Sequence, residues 1–203
     1  MKEFIIASNN IHKIKEIKEM LVGFDLSVKS LAEKNIDIDV EEDGVTFEEN
    51  SKKKATEIVR HLKNKGESDF IVMSDDSGLE VDYLNGAPGV YSARYAGVHG
   101  DNDANNQKLL KELTGVDRKK RTARFVCVIT AINSELEEIV VRGEVDGVIE
   151  TKLSGSEGFG YDPLFYVQEY NKTFSEITSK EKNMISHRGR ALDKLKAKIK
   201  EII

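Results

Sequence analysis

Two adjacent carboxylates, Asp75 and Asp76, lie between two serines and a glycine in residues 74–78. The four residues before this segment, Phe-Ile-Val-Met, form an apolar run that predicts a buried strand. We therefore expect the aspartates at a polar corner where that strand ends, which is where open α/β sheets bind their ligands. Carboxylates this close resist ionising together unless a cation lies between them or one keeps its proton. The pair predicts a catalytic or metal-binding site, and the alternative is an ordinary solvated turn.

A second polar segment, residues 8–13 (Ser-Asn-Asn-Ile-His-Lys), follows an apolar run at 3–7 that predicts a strand. Isoleucines at 11, 14 and 17 then recur at helical spacing, and Gly23 is placed to end the helix. Because the first N–H groups of a helix have no partner within it, this turn predicts an anion site, strengthened by Lys13. It lacks the glycines and the Gly-Lys-Ser/Thr ending of a P-loop. The alternative is a capped helix start with no ligand.

Three further segments carry candidate binding residues. Residues 155–163 (Gly-Ser-Glu-Gly-Phe-Gly-Tyr-Asp-Pro) surround Phe159 with glycines, so its ring could stack on a flat ligand or pack in the core of a hairpin. The acidic loop at 37–44 could bring one carboxylate to a metal, or simply keep the surface soluble. His187 and Arg188 lie at a predicted helix start, where both could donate to a ligand edge or simply face solvent.

The rest of the sequence predicts the strands and helices that must position these side chains. Strands are predicted at 26–31, 79–84, 122–133, 136–148 and 164–167, with the two long ones as an antiparallel pair. Capping boxes begin helices at Thr46 and Thr178, Asp103 is expected to cap another helix, and Lys52, Lys53 and Lys54 are expected on a solvated helix face. Strands that alternate with helices predict an α/β fold.

The composition is that of an ordinary soluble globular protein, with 203 residues, 39% hydrophobic and 33% charged. We expect no membrane span, since no apolar run is long enough, and no signal peptide at the N-terminus. The single cysteine, Cys127, excludes a disulfide within the chain and fits a cytoplasmic location. A net charge of −5 without a basic aromatic patch argues against nucleic acid as a partner.

Four of these motifs together describe a nucleoside triphosphate site, and they carry a family resemblance. Residues 8–13, 74–95 (from Ser-Asp-Asp-Ser-Gly-Leu to Ser-Ala-Arg-Tyr), 159–163 (Phe-Gly-Tyr-Asp-Pro) and 186–192 (Ser-His-Arg-Gly-Arg-Ala-Leu) resemble the inosine/xanthosine triphosphate pyrophosphatases. The resemblance implies one domain over residues 1–203, an elongated two-lobed mixed β-sheet flanked by helices around a central active-site cleft, and a homodimer. It implies hydrolysis of ITP, dITP and XTP to the monophosphate and pyrophosphate, with Mg²⁺ as the cofactor.

The resemblance also implies residue roles. Asp76 would be the general base and a Mg²⁺ ligand with Asp75 beside it, and Glu41 would be a second metal ligand, with Glu42 as the adjacent alternative. The phosphates would be bound by Ser8, Asn9, Asn10, Ile11, His12, Lys13 and Ser77. The base and ribose would be bound by Phe159, Gly160, Tyr161, Asp162, Lys182, His187 and Arg188, with Phe159 stacking. Donors on His187 and Arg188 would donate hydrogen bonds to the O6 acceptor of hypoxanthine or xanthine and would disfavour the 6-amino group of adenine, so Arg188→Ala is expected to lose that discrimination.

Two other functions remain open from the sequence alone. The first is a related pyrophosphatase that acts on modified pyrimidine triphosphates, and the second is a nucleotide-binding or sensor protein without turnover. The sequence does not determine the preference among ITP, dITP and XTP, or how the 2-amino group of GTP is excluded.

Overall fold

The computed structural model describes residues 2–24 and 26–202. Its helices and strands are, in chain order, β1 (Glu3–Ala7), α1 (Ile11–Met20), β2 (Ser27–Ser30), α2 (Phe47–Asn64), β3 (Phe70–Val81), α3 (Asn102–Glu112), β4 (Thr122–Asn133), β5 (Glu138–Ile149), β6 (Phe165–Val167), β7 (Lys172–Thr173), α4 (Ser179–Ile185) and α5 (His187–Lys198). Short 3₁₀ turns lie between several of them. Within the described residues, no helix is both long and apolar enough to cross a membrane.

The strands form a mixed sheet in the order β2-β1-β3-β4-β5-β6-β7. β1 pairs in parallel with β2 and β3, whereas β6 pairs antiparallel with β5 and β7. β4 and β5 are neighbours joined by a four-residue connection, as predicted for the two long strands. The sheet and its helices confirm the predicted α/β class.

Side-chain caps fix where the helices begin. Thr178 with Glu181 makes the complete capping box predicted at the start of α4. At the start of α2, Thr46 accepts from the Glu49 amide as predicted, but the Glu49 carboxylate accepts from the Val45 amide, so the reciprocal half of the predicted box is not formed. At α3 the prediction is wrong by two residues. Asp101, not Asp103, caps the helix by accepting from the Ala104 amide, and Asp103 lies in the first turn, where a carboxylate favours the helix dipole.

The chain divides into two compact units. The first comprises residues 1–76, 127–143 and 188–203, and the second comprises residues 77–126 and 144–187. β3, β4 and β5 each contribute residues to both units.

The first unit has a hydrophobic core on each face of its strands. One core includes Ile17 of α1 and Leu192 of α5, and the other includes Ile58 of α2. Because successive side chains of a strand point to opposite faces, Ile71 and Met73 of β3 join the first core and Phe70 and Val72 join the second. The same alternation decides where the polar residues that follow them in β3 lie.

The second unit is built around an aromatic cluster. The ring centroids of Phe125 and Phe165 are 4.5 Å apart, and those of Phe125 and Phe174 are 5.9 Å apart and stacked. Leu109 of α3 and Ile149 of β5 belong to the same buried core.

The predicted corner at the two aspartates is wrong. β3 continues from Phe70 to Val81 and passes through Asp75 and Asp76, so the two strands expected at 70–73 and 79–84 are largely one strand. A buried strand tolerates carboxylates only when they have charged or hydrogen-bonding partners, and Asp75 has both kinds.

Candidate active site

Strand alternation separates the two aspartates. Asp75 has the same parity as Ile71 and Met73 and therefore lies on the face covered by α1 and α5. Asp76 has the parity of Phe70 and Val72 and lies on the face covered by α2. The two adjacent carboxylates therefore lie on opposite faces of the strand, in two different environments.

Asp75 is only 1% exposed and is surrounded by donors. Its Oδ1 is 2.8 Å from the Nζ of Lys13, its Oδ2 is 2.8 Å from the Nε of Arg188, and the Cys127 thiol donates to Oδ2 at 3.1 Å. Burial by itself would raise the pKa of Asp75, but the charges of Arg188 and Lys13 outweigh it and hold that pKa well below its ordinary value. Asp75 is therefore a carboxylate that stays ionised.

Arg188 connects two carboxylates inside the first unit. Its guanidinium is buried, and its Nη1 lies 2.5 Å from Oε2 of Glu16 in addition to the contact with Asp75. Burial would lower the pKa of Arg188, but Asp75 and Glu16 raise it above its ordinary value. This placement differs from the expected exposed donor, because the buried guanidinium is held by these two carboxylates.

Asp76 is a buried carboxyl with a raised pKa. It is 4% exposed, and burial raises its pKa to about 6. The charge of Glu42 adds to the shift, and the charges of Lys13 and Lys54, with the nearby Asn50 side chain, oppose it. Among the residues described, Oδ2 of Asp76 and Nδ2 of the buried Asn50 make no hydrogen bond of ordinary geometry, although the Asn50 side chain lies near enough to lower the pKa of Asp76. A buried carboxylate oxygen without a well-formed hydrogen bond can take a further donor or a cation.

The acidic loop brings Glu42 rather than Glu41 toward Asp76. Glu42 is half-buried, forms an ion pair with Lys54 and is the loop carboxylate whose charge raises the pKa of Asp76. Glu41 is exposed, and its charge acts on Lys53. No group of three or more His, Cys, Asp or Glu side chains in residues 2–24 and 26–202 is arranged to hold a metal.

Lys54 is a site residue that the sequence reasoning missed. It was expected on the solvated face of α2 with Lys52 and Lys53, but its side chain is only 13% exposed and also donates to the Asp75 carbonyl at 3.4 Å. The usable signal was its spacing, because position 54 precedes the apolar Ile58 by four residues and therefore lies on the same side of the helix.

The segment at 8–13 forms the predicted turn between β1 and α1. Two of its amides, those of His12 and Lys13, donate to the Asn10 side chain, which caps the helix. The Asn10 amide donates to Ser8 Oγ at 3.2 Å, while Asn9, Ile11 and His12 are exposed. The turn is therefore partly satisfied by its own side chains, and its positive charge comes from Lys13.

In the second unit, Asp162 organises the glycine-rich loop. Its Oδ2 accepts from the Phe159 amide at 2.8 Å and from Lys182 Nζ at 2.7 Å, and both Asp162 and Lys182 are buried. A Cβ at Gly158 would lie 2.1 Å from the same oxygen, so the loop needs a glycine there. The Lys182 ammonium lies 4.8 Å from the centroid of the Phe159 ring, within cation–π range.

The other predicted residues of the second unit lie in distinct surroundings. His187 is buried and stacks on Phe125 at 4.8 Å with an interplanar angle of 13°. Tyr161 is 4% exposed and donates to the Ser92 carbonyl, while Gly160 takes a φ of +64° beside it. Ser77 is half-buried in β3. Phe159 itself is half-buried, which leaves part of its ring accessible.

The fold and these clusters define an α/β protein that carries buried, charge-paired polar groups on one mixed sheet. Residues 4–198 match the sequence model of the Ham1 family, and the chain belongs to that family. It is 66% identical over its full length, and over the whole of the relative, to a protein of Clostridium perfringens named dITP/XTP pyrophosphatase. It is 50% identical to a Bacillus subtilis protein of the same name, with 96% of each chain covered. The solved Ham1 protein of Staphylococcus aureus is 42% identical, covers 98% of this chain and 99% of its own, and superposes with a TM-score of 0.85.

Proposed function

We propose that this protein is a nucleoside triphosphate pyrophosphatase that hydrolyses ITP, dITP and XTP to the monophosphate and pyrophosphate, and so removes deaminated purine nucleotides from the pool. The observation that carries the proposal is Asp76, a buried carboxyl whose pKa is raised to about 6 in a chain that belongs to the Ham1 family. A base with a pKa near the working pH combines the correct protonation state with driving force for proton transfer.

Within the first unit, Asp76 would take the proton of the water that attacks the α-phosphorus. Lys13, with Ser8 and the exposed polar residues of the turn at 8–13, would bind the triphosphate. In the structure Lys13 contacts Asp75, so Asp75 would fix the position of that ammonium as well as its charge. Ser77, the next residue of β3, would contribute a hydroxyl contact in the second unit.

The residues present fit a divalent cation, which we propose to be Mg²⁺. The support is the buried Oδ2 of Asp76, which makes no well-formed hydrogen bond in the described part of the chain, together with a nearby loop carboxylate. Mg²⁺ takes oxygen ligands and keeps several waters, so two carboxylates suffice. Asp76 would hold the ion with Glu41, as the resemblance implies, or with Glu42, which the geometry favours. When bound, the ion would neutralise phosphate charge and lower the pKa of the attacking water.

Within the second unit, the half-exposed ring of Phe159 would stack on the purine. Asp162 and Lys182 would fix the position of that ring. Asp162 accepts from the Phe159 amide, and the Lys182 ammonium lies over the ring. His187, packed on Phe125, would face the base edges, and the backbone at Gly160 and Tyr161 would line the same segment.

The proposal is tested by measuring pyrophosphate and orthophosphate release from ITP, XTP, GTP and ATP, with and without Mg²⁺. We expect pyrophosphate alone, rapid release from ITP and XTP, and dependence on the metal. Release of orthophosphate would mean that a different bond is cleaved. Binding without release would favour a sensor, and a preference for modified pyrimidine triphosphates would reassign the substrate.

Lys54 provides a second prediction, because its charge lowers the pKa of Asp76. Lys54→Ala should move the acid limb of the kcat/KM profile of ITP hydrolysis to higher pH, since the carboxyl then loses a positive neighbour. Lys52→Ala is the matched control, because Lys52 is on the same helix but is 59% exposed and pairs with Glu138. A profile that moves equally in both variants, or in neither, would contradict the role given to Lys54.

We also propose a homodimer in the cytoplasm. The single cysteine, Cys127, is buried, which fits a reducing compartment without requiring one. Light scattering during gel filtration would give the mass of the particle in solution, and a mass of about 23 kDa, one chain of this length, would rule out the dimer.

A further inference from the structure

The segment at 86–97 (Gly-Ala-Pro-Gly-Val-Tyr-Ser-Ala-Arg-Tyr-Ala-Gly) belongs to a prominent sequence motif, yet none of the proposed roles uses it. In the structure its central part, Gly89–Arg94, is a 3₁₀ turn packed within the second unit. Ser92 in this turn is 7% exposed and makes hydrogen bonds with both its side chain and its backbone. Its partners lie in two different elements of that unit.

The side chain of Ser92 is fixed to β3. Its Oγ accepts from the Leu79 amide at 2.8 Å and donates to the Gly89 carbonyl at 2.6 Å. The donor at Leu79 is buried, so the serine satisfies a strand amide that would otherwise be costly. The turn is therefore held to a rigid strand rather than lying loose on the surface.

The backbone of Ser92 is fixed to the glycine-rich loop. The Tyr161 hydroxyl, on a side chain that is 4% exposed, donates to the Ser92 carbonyl at 2.8 Å. One residue earlier, the Gly160 carbonyl accepts from Nδ2 of Asn106 on α3 at 2.9 Å, and Asn106 is also 4% exposed. Asn105, its neighbour, binds the amide of Ala96 and so joins α3 to the end of the same segment.

We propose that Ser92, Asn106 and Tyr161 form a positioning frame that sets the place of Phe159 relative to β3, and that this frame determines affinity for the base. The inference rests on the proposed function, in which Phe159 stacks on the purine. The frame binds positions 160 and 161, while Asp162 binds the Phe159 amide, so the backbone is held on both sides of the ring's own residue. None of the three frame side chains needs to contact the substrate, because each acts through the loop, and the buried Tyr161 hydroxyl is directed to Ser92 while only the Tyr161 backbone lines the base segment.

The frame is tested with Tyr161→Phe, which keeps the ring and removes one hydroxyl. The KM for ITP should rise about three- to tenfold with kcat within about twofold of wild type, since one buried hydrogen bond that orders the base loop is lost. The inhibition constant of inorganic tripolyphosphate, which carries the phosphates without a base, should not change. Tyr166→Phe is the matched control, because its hydroxyl donates to Asn171 at an exposed position of the same unit. Asn106→Ala should resemble Tyr161→Phe.

A double substitution separates this inference from the proposed function. Phe159→Ala should raise the KM for ITP by about tenfold or more, and adding Tyr161→Phe should then have little further effect. The frame is refuted, and the base role of Phe159 stands, if Phe159→Ala raises the KM for ITP but Tyr161→Phe does not. The same conclusion follows if Tyr161→Phe raises the inhibition constant of tripolyphosphate by the same factor as the KM for ITP. If Phe159→Ala leaves the KM for ITP unchanged, both the positioning frame and the stacking of Phe159 on the purine are refuted.

Discussion

Asp76→Asn is expected to abolish pyrophosphate release and, in the absence of metal, to make the protein more stable than wild type at pH 8. Loss of a positioned general base lowers turnover by about 10²- to 10⁴-fold. Asparagine also removes the free-energy cost of burying the ionised carboxylate, because the side chain is 4% exposed and its Oδ2 makes no well-formed hydrogen bond among the residues described.

The sign of the stability change follows from the direction of the pKa shift. Burial raises the pKa of Asp76 from 3.8 to about 6 on folding, so the folded state binds the proton more tightly than the unfolded state. The stabilisation is fully present below the unfolded pKa and is lost as the pH rises through the folded one. At higher pH the ionised side chain therefore costs about 3 kcal/mol, which asparagine does not.

Urea unfolding of wild type and Asp76→Asn across this range measures the effect. The variant's advantage should be small near about pH 4, should reach about half of its full size near about pH 5 and should approach about 3 kcal/mol at pH 8. Asp193→Asn, which removes a charge from a side chain that is 72% exposed, is the control and should behave as wild type. Mg²⁺ should stabilise wild type but not Asp76→Asn. A variant less stable than wild type at pH 8 would contradict this account.

The sequence predicted the parts of the fold that depend on local patterns. The helix starts at Thr46 and Thr178 were correct, because a capping residue acts on amides two or three positions away. The buried face of α2, including Ile58 and Leu62, followed from helical spacing. The motif segments also led to the family, whose fold the structure shares with the Staphylococcus aureus protein.

The errors at Asp75 and Lys54 have a common physical cause, which is that partners distant in sequence determine whether a charged side chain is buried. Asp75 was placed in a turn because Asp-Asp-Ser-Gly favours turns, but Arg188, 113 residues away, neutralises it inside the sheet. Lys54 was predicted to face solvent because lysine side chains are usually exposed. In the structure its ammonium pairs with Glu42 and donates to the Asp75 carbonyl of β3, so the side chain is largely buried. Local propensity carries no information about such pairs.

Arg188→Ala is expected to destabilise the first unit strongly rather than merely to relax base selectivity. The guanidinium is 1% exposed and contacts Asp75 at 2.8 Å and Glu16 at 2.5 Å. Its removal leaves buried carboxylates without their principal cation, and breaking a buried pair in this way costs about 3–5 kcal/mol. Lys13 still contacts Asp75, so some of the charge remains compensated. Arg60→Ala, which removes an arginine that is 60% exposed and pairs with Glu57, should have a small effect.

The pH dependence distinguishes lost charge from lost packing. In wild type the pKa of Asp75 lies well below 3.8, so its contribution to stability is present above that value and is lost only as the pH falls through the depressed pKa. Without Arg188, burial dominates and the pKa of Asp75 rises, so mild acid protonates the side chain and relieves the unpaired charge. Urea unfolding should therefore give a smaller difference from wild type near about pH 5 than at pH 8. A difference that stays constant with pH would indicate a cavity alone, and a stable variant with relaxed ITP over ATP selectivity would restore the base-reading role.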